Sequence, residues 1–186
     1  RGCAWPCVGE WSMPLPNREI IVAPSLLAAY FAHLADDVAK VIAAGADWLH
    51  LDIMDGQFVD NISFGPAVVK MVRGLTSLPL DVHLMIERAD HYVPRFLAAG
   101  ANSITVHVEP EAKHDVAATL RLIRAGGALA GLTLNPAPPF QANNPHLPDV
   151  ALLPVLTVQP CFGCPSFLVV RSEQLRRPPG RLVSWG

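Results

Sequence analysis

Two short apolar stretches carry side chains able to hold a metal and to move a proton: His50-Leu51-Asp52-Ile53-Met54-Asp55-Gly56 and, downstream, Asp81-Val82-His83-Leu84-Met85. Side chains along a strand alternate between faces with a period of two. His50, Asp52 and Met54 therefore share one face of the first strand, and His83 and Met85 share one face of the second. An unpaired buried charge costs several kcal/mol, comparable with the stability of a whole domain. A core strand that places an imidazole and a carboxylate two residues apart needs a partner for them, and convergence on one divalent metal removes the penalty. Imidazole and carboxylate donors suit zinc, iron or manganese, so the donor set leaves the metal open among these.

Repeated units must position these residues. Apolar runs predict strands over Ile20 to Leu27, Trp48 to Met54, Leu78 to Met85, Ser103 to Val108, Ala128 to Leu134 and Ala151 to Val158. Amphipathic stretches predict helices near His33 to Ala44, Pro66 to Leu75, Tyr92 to Ala99 and Val116 to Ala125. Glycines such as Gly45, Gly100 and Gly126 close several of these helices. The stretch Ala43-Ala44-Gly45-Ala46 returns as Ala98-Ala99-Gly100-Ala101, a helix end turning tightly into a strand in both places. A strand such as Ala128 to Leu134, apolar almost throughout, suits a parallel sheet buried on both faces. The pattern predicts an α/β fold, a TIM (β/α)8-type barrel that is incomplete, with about six βα units present where a closed barrel has eight. Two exposed strand edges follow, and open edges invite pairing with another chain.

Bulk properties bound the function. The 186 residues are 51% hydrophobic, enough for one domain with a real core. A net charge of -2 offers no basic field, so no nucleic acid is expected as a partner. No apolar run approaches a membrane span and the first residues lack the apolar stretch of a signal peptide, so no membrane partner and a cytoplasmic location are expected. The four cysteines, Cys3, Cys7, Cys161 and Cys164, are read as mostly free thiols. Residues 1–19 read as a poorly ordered extension, 20–170 as the barrel domain, and 171–186 as an atypical tail. That tail is rich in Arg, Pro and Gly, with one plausible helical turn and no credible pair of further strands.

Several motifs together resemble the ribulose-phosphate 3-epimerase family. Ala23-Pro24-Ser25-Leu26-Leu27-Ala28-Ala29 looks like its first strand and loop, His50 to Gly56 its second strand, and Phe58-Val59 with Asn61-Ile62-Ser63-Phe64-Gly65-Pro66 the loop that follows. Asp81 to Ile86 resembles its third strand and Leu134-Asn135-Pro136-Ala137 the end of its fifth. The resemblance runs from about Ile20 to about Phe167. It implies His50, Asp52 and His83 as three of four ligands to one divalent metal ion, zinc, iron or manganese. Asp52 would also be one of two acid/base carboxylates, and Ser25, His83 and a glycine matching Gly163 would contact substrate. Met54 and Met85 would line the pocket near the reacting carbon. The implied substrate is a phosphorylated pentulose whose C3 proton is moved, which requires a base, an acid on the opposite face and a Lewis acid for the enediolate oxygens.

The chain also departs from that pattern. The family's fourth ligand and second carboxylate lies in an Asp-Gly-Gly motif on the seventh strand, and this sequence has no such motif; after Asp149 its only acidic residue is Glu173. The Gly-rich phosphate loop is matched by Gln159 to Pro165, where Cys161, Cys164 and Pro165 replace two glycines and a glutamine, which should weaken phosphate binding. Cys161 and Cys164 are read as substituted glycines rather than a redox or zinc motif. Tyr30 and Asp60 stand where the family usually has an aspartate and a proline.

His107, two residues before Glu109, is read as a satisfied core or rim histidine. His33, Asp36 and Asp37 open a helix, where acidic groups favour the positive end of the dipole. The expected activity is metal-dependent epimerisation of D-ribulose 5-phosphate to D-xylulose 5-phosphate, impaired by the missing C-terminal strands. The expected assembly is a homo-oligomer or association through open edges. The alternative is a non-catalytic fragment that binds metal or pairs with a full-length epimerase. A related phosphosugar decarboxylase or isomerase would want a lysine at a strand end, and Lys40, Lys70 and Lys113 all fall in helical or loop contexts.

Overall fold

The computed structural model describes residues 20–133, 145–146, 148–156 and 182–185. Strands and helices alternate along it: α1 (Leu34–Ala43), β1 (Leu49–Met54), α2 (Pro66–Leu75), β2 (Leu80–Met85), α3 (Ala89–Ala99), β3 (Ser103–His107), α4 (Val116–Ala125), β4 (Leu129–Thr133), β5 (Leu153–Leu156) and β6 (Leu182–Trp185). The helices begin for local reasons. Asp36 and Asp37 sit in the first turn of α1, Pro66 opens α2, and the Asp115 carboxylate caps α4 by accepting from the Ala118 N–H at 2.9 Å. Residues three or four apart, such as Val69 and Val72, Val93 and Phe96, or Leu120 and Ile123, form the buried stripe of each helix.

The repeated Ala-Ala-Gly-Ala has one geometry at both sites. Gly45 and Gly100 take positive φ, 93° and 101°, and the next residue's N–H reaches back five positions, Ala46 to the Val41 carbonyl and Ala101 to the Phe96 carbonyl, both at 3.1 Å. This reversal feeds each helix straight into its strand. At the end of α4 Gly126 is the cap, as expected, the positive φ of 82° falls to the next residue, Gly127, and Ala128 completes the bond to Ile123 at 3.3 Å.

β1, β2, β3 and β4 pair in that order, every pair parallel. A parallel bridge between Gly131 and Leu152 leads from β4 towards β5, which pairs in parallel with β6. The tail from which no strand pair was expected thus supplies one strand. The stretch Ile20 to Leu27 differs from its expectation. It runs beside β1, where the Val22 and Pro24 carbonyls accept from Asp47, Trp48 and His50, but regular pairing ends in a parallel bridge between Ser25 and His50. Pro24 has no N–H to give a ladder, and Leu26–Ala28 winds into a 3-10 turn capped by the Ser25 hydroxyl.

The sheet has two chemically distinct faces. Leu49, Leu51, Ile53, Leu80, Val82, Leu84, Ile104, Val106, Ala130 and Leu132 pack with the helices into the main core. The opposite parity presents His50, Asp52 and Met54 from β1, Asp81, His83 and Met85 from β2, and Ser103, Thr105 and His107 from β3. At the N-terminal end of that inner face Trp48, Leu129 and Leu152 form an apolar plug. The polar residues lie above this plug, and the methionines occupy the strands' C-terminal ends.

Candidate active site and metal centre

Parallel register, not sequence spacing, brings the site together. His50 stands opposite Asp81, Asp52 opposite His83 and Met54 opposite Met85. The His50 Nδ1–H donates to Asp81 Oδ2 at 2.8 Å and His50 Nε2 lies 3.0 Å from Asp52 Oδ1. His83 Nδ1 approaches the same Asp52 oxygen at 3.3 Å. The other oxygen, Oδ2, accepts from the Ser25 hydroxyl at 2.6 Å. Ser25 therefore touches the proposed base directly, placed there by the irregular first segment.

Electrostatics follow from this clamp. Burial alone would lower the His50 pKa, but the Asp52 and Asp81 carboxylates on its two sides raise it to about 10. Burial pushes Asp52 up, yet His50 and His83 outweigh it and hold the carboxyl well below the usual range. Asp52 is ionised at neutral pH, and its side chain is 16% exposed, so it keeps contact with solvent. Two carboxylates this enclosed demand a cation, because an unpaired buried charge costs several kcal/mol. In the metal-free chain that cation is the doubly protonated His50.

One donor atom from each of His50, Asp52 and His83 lies within 4.8 Å of the other two, a cluster able to hold a metal ion. The donor set fits a divalent cation: loss of the His50 Nε2 proton would leave two imidazole lone pairs and a carboxylate oxygen converging, while Asp81 keeps its bond to Nδ1. A carboxylate behind a ligating imidazole fixes ring orientation and raises ligand basicity.

Met54 and Met85 are both buried at the strand ends. The Asn61 amide donates to Met54 Sδ at 3.4 Å, while the Ser63 hydroxyl donates to the Asp52 carbonyl at 2.5 Å and accepts from the Met54 N–H at 3.0 Å. Asp55, last charged residue of the first motif, ties two loops together by accepting from Gln57, Phe58 and Glu87 N–H groups. Gly163, Cys161, Cys164 and the Leu134 to Ala137 stretch lie outside the described residues, as do residues 1–19. Asp149 is engaged by Arg124 at 2.5 Å. The three lysines stay off the inner face, with Lys40 in α1, Lys70 in α2 and Lys113 paired with Glu87.

Sequence reasoning passed over two participants. In the sequence Asp81 carries no signal beyond opening a strand motif. His107 is buried and satisfied, as expected, but its partner is the site itself: His107 Nε2 lies 2.9 Å from His83 Nε2, and His107 Nδ1 lies 3.1 Å from Glu109 Oε2. Burial, opposed by Glu109, lowers the His107 pKa to about 4. The signal was strand parity, since Ser103, Thr105 and His107 point the same way as His83.

A model of the ribulose-phosphate 3 epimerase family matches residues 21–178. The chloroplastic ribulose-5-phosphate-3-epimerase of Arabidopsis thaliana is 46% identical over 152 residues, 82% of this chain and 54% of that protein. The ribulose-phosphate 3-epimerase of Synechocystis is 45% identical over 152 residues, covering 66% of its length, and that of Escherichia coli is 42% identical over 171 residues, covering 75%. The chain thus spans between about half and three quarters of these curated relatives. Among solved structures, Yersinia pestis DHPS aligns with a TM-score of 0.57 at 16% identity, over 88% of this chain and 70% of that one. Deoxyribose phosphate aldolase from Aeropyrum pernix aligns at 0.51 and 14%, over 74% and 62%. These likenesses speak for fold alone, that of an incomplete TIM-type barrel. Among the described residues, no helix is long and apolar enough to cross a membrane.

Proposed function

The chain belongs to the ribulose-phosphate 3-epimerase family, and from that premise we propose that it moves the C3 proton of a phosphorylated pentulose, interconverting D-ribulose 5-phosphate and D-xylulose 5-phosphate. The observation that carries this reading is the placement of Asp52: ionised, still in contact with solvent, with one oxygen between two imidazoles and the other bound by Ser25. Asp52 removes the proton from one face of C3. Ser25 holds Oδ2 and contacts the substrate, and Met54 and Met85 cover the planar intermediate with polarisable surface that exchanges no protons. Gly163 is proposed to contact the phosphate.

His50, Asp52 and His83 would hold one divalent cation, zinc, iron or manganese, which when bound supplies positive charge beside the enediolate oxygens. Asp81 orients His50 for that purpose. The fold keeps water from the buried side of the centre through the plug of Trp48, Leu129 and Leu152.

Return of a proton to the opposite face needs an acid, and the sequence contains no Asp-Gly-Gly to provide one. Losing a positioned acid/base group costs about 10²- to 10⁴-fold in rate, so turnover by the chain alone is proposed to be weak. The same absence favours a second reading, a non-catalytic metal-binding chain that pairs with a full-length epimerase through an open strand edge. A cytoplasmic location and a homo-oligomer or edge-paired assembly are part of the same proposal. Assay of the purified chain with added zinc, iron or manganese for D-xylulose 5-phosphate tests the first reading. Slow, metal-dependent product formation supports it, whereas a folded chain that binds metal and forms no product favours the second.

A further inference from the structure

Glu109, His107 and His83 lie in a row across the sheet, and of the three only His83 belongs to the proposed metal centre. Glu109 Oε2 lies 3.1 Å from His107 Nδ1, and His107 Nε2 lies 2.9 Å from His83 Nε2. The two imidazole planes are 13° apart with centroids separated by 5.0 Å. A centroid separation that exceeds the N···N distance by about two ring radii means the rings lie side by side, so the shared hydrogen points along a lone pair. All three side chains are buried. The His114 Nε2–H donates to the His107 carbonyl at 3.0 Å, and Phe58 packs on the His107 ring with centroids 4.7 Å apart.

Hydrogen counting along this row leaves little freedom. An ionised carboxylate only accepts, so the His107 contact with Glu109 requires a hydrogen on Nδ1. A neutral imidazole has one ring hydrogen, so His107 Nε2 is then an acceptor. The 2.9 Å contact must therefore be donated by His83 Nε2–H. A neutral His83 with its hydrogen on Nε2 has its lone pair on Nδ1, the nitrogen turned towards Asp52. The opposite tautomer of His83 would set its Nε2 lone pair against that of His107; the Nδ1 lone pair in turn faces Asp52 Oδ1 at 3.3 Å, a contact that a cation between them would relieve.

We propose that Glu109 and His107 are positioning residues that lock His83 in its Nε2–H tautomer and so present the Nδ1 lone pair to a divalent cation. The assignment rests on the reading of His50, Asp52 and His83 as a metal centre, and it is the counterpart on His83 of what Asp81 does for His50. Partners behind a ligating histidine are worth about 10- to 100-fold in metal affinity.

The test uses the full chain, ¹⁵N-labelled and freed of metal, with ring-nitrogen correlation spectra as the first readout and Zn²⁺ competition titration as the second. The wild-type chain should show hydrogen on Nε2 of His83 and on Nδ1 of His107. His107→Phe keeps ring volume and removes the acceptor. It should show mixed His83 tautomers and about 10- to 100-fold weaker Zn²⁺ binding. His107→Gln offers a carbonyl to His83 and an amide to Glu109 and should restore both, which separates the proposal from a packing role and keeps it testable if the Phe variant misfolds. Hydrogen on Nδ1 of His83 in the wild type, or a folded His107→Phe chain with unchanged tautomer and affinity, would overturn it. The spectra need no metal: an Nε2–H tautomer in a wild-type chain that binds no Zn²⁺ supports the locking pair and overturns the metal reading instead.

Discussion

Asp52 on β1 lies directly across the parallel ladder from His83 on β2, and Asp52 Oδ1 meets His83 Nδ1 at 3.3 Å. The in-register pairing of two six-residue strands converts two sequence motifs, 31 residues apart at this pair, into one centre. His50, Asp52, Met54, His83 and Met85 are held by the pairing of β1 with β2, whereas Ser25 sits at an isolated bridge to His50 and caps a 3-10 turn.

Ser25→Ala should therefore act on both stability and chemistry. It removes a hydrogen bond to an ionised carboxylate and the cap of the Leu26–Ala28 turn, together worth about 1–3 kcal/mol. A melting temperature lower by several degrees is expected, with a further loss of C3 proton exchange in the chain that remains folded. An unchanged melt would show that the Ser25–Asp52 contact carries no net energy.

Asp81→Asn removes the charge behind His50. Zn²⁺ affinity by competition titration should fall about 10- to 100-fold, and the His50 pKa, raised to about 10 in the wild type, should drop. Equal affinities in the two folded chains would remove Asp81 from the centre.

Stability of the metal-free chain should peak near pH 6.5. His107 has a folded pKa lowered from 6.5 to about 4, so between those values the unfolded chain binds a proton that the folded chain refuses, and stability falls as pH falls. His50 has a folded pKa raised from 6.5 to about 10; its contribution is complete below 6.5 and is lost as pH rises towards 10. Denaturant titrations with chelator across this range check both slopes, and His107→Gln should flatten only the acid one.

Gly131→Ala tests how closely β3 and β4 approach on the inner face. A Cβ there would lie 2.1 Å from Thr105 Oγ1, and turning that hydroxyl away would still leave Thr105 Cβ and Cα at 3.0 and 3.1 Å, tighter than ordinary contact. Overpacking of this kind costs about 1–3 kcal/mol, to be read as a lower denaturation midpoint at unchanged slope.

Period-two parity made much of this legible. His50, Asp52 and Met54 share a face because strand geometry demands it, and β1 to β4 and the four helices fall within a few residues of their expected places. Parity within a strand says nothing of register between strands, which is why Asp81 and His107 went without roles: their partners are 31 and 24 residues away. The stretch from Ile20 looked like a strand because it is apolar, but Pro24 interrupts its ladder. Gly126 caps α4 as expected, but which of the two adjacent glycines takes the left-handed turn is not written in the local sequence, and it is Gly127.

Deuterium incorporation at C3 of D-ribulose 5-phosphate in D₂O, with Zn²⁺, Fe²⁺ or Mn²⁺ present, reads whether Asp52 removes the C3 proton. The wild-type chain should wash in deuterium at C3 even where little D-xylulose 5-phosphate forms, and a folded Asp52→Asn chain should not. Undiminished exchange by Asp52→Asn, or none by a folded, metal-loaded wild-type chain, would contradict the account.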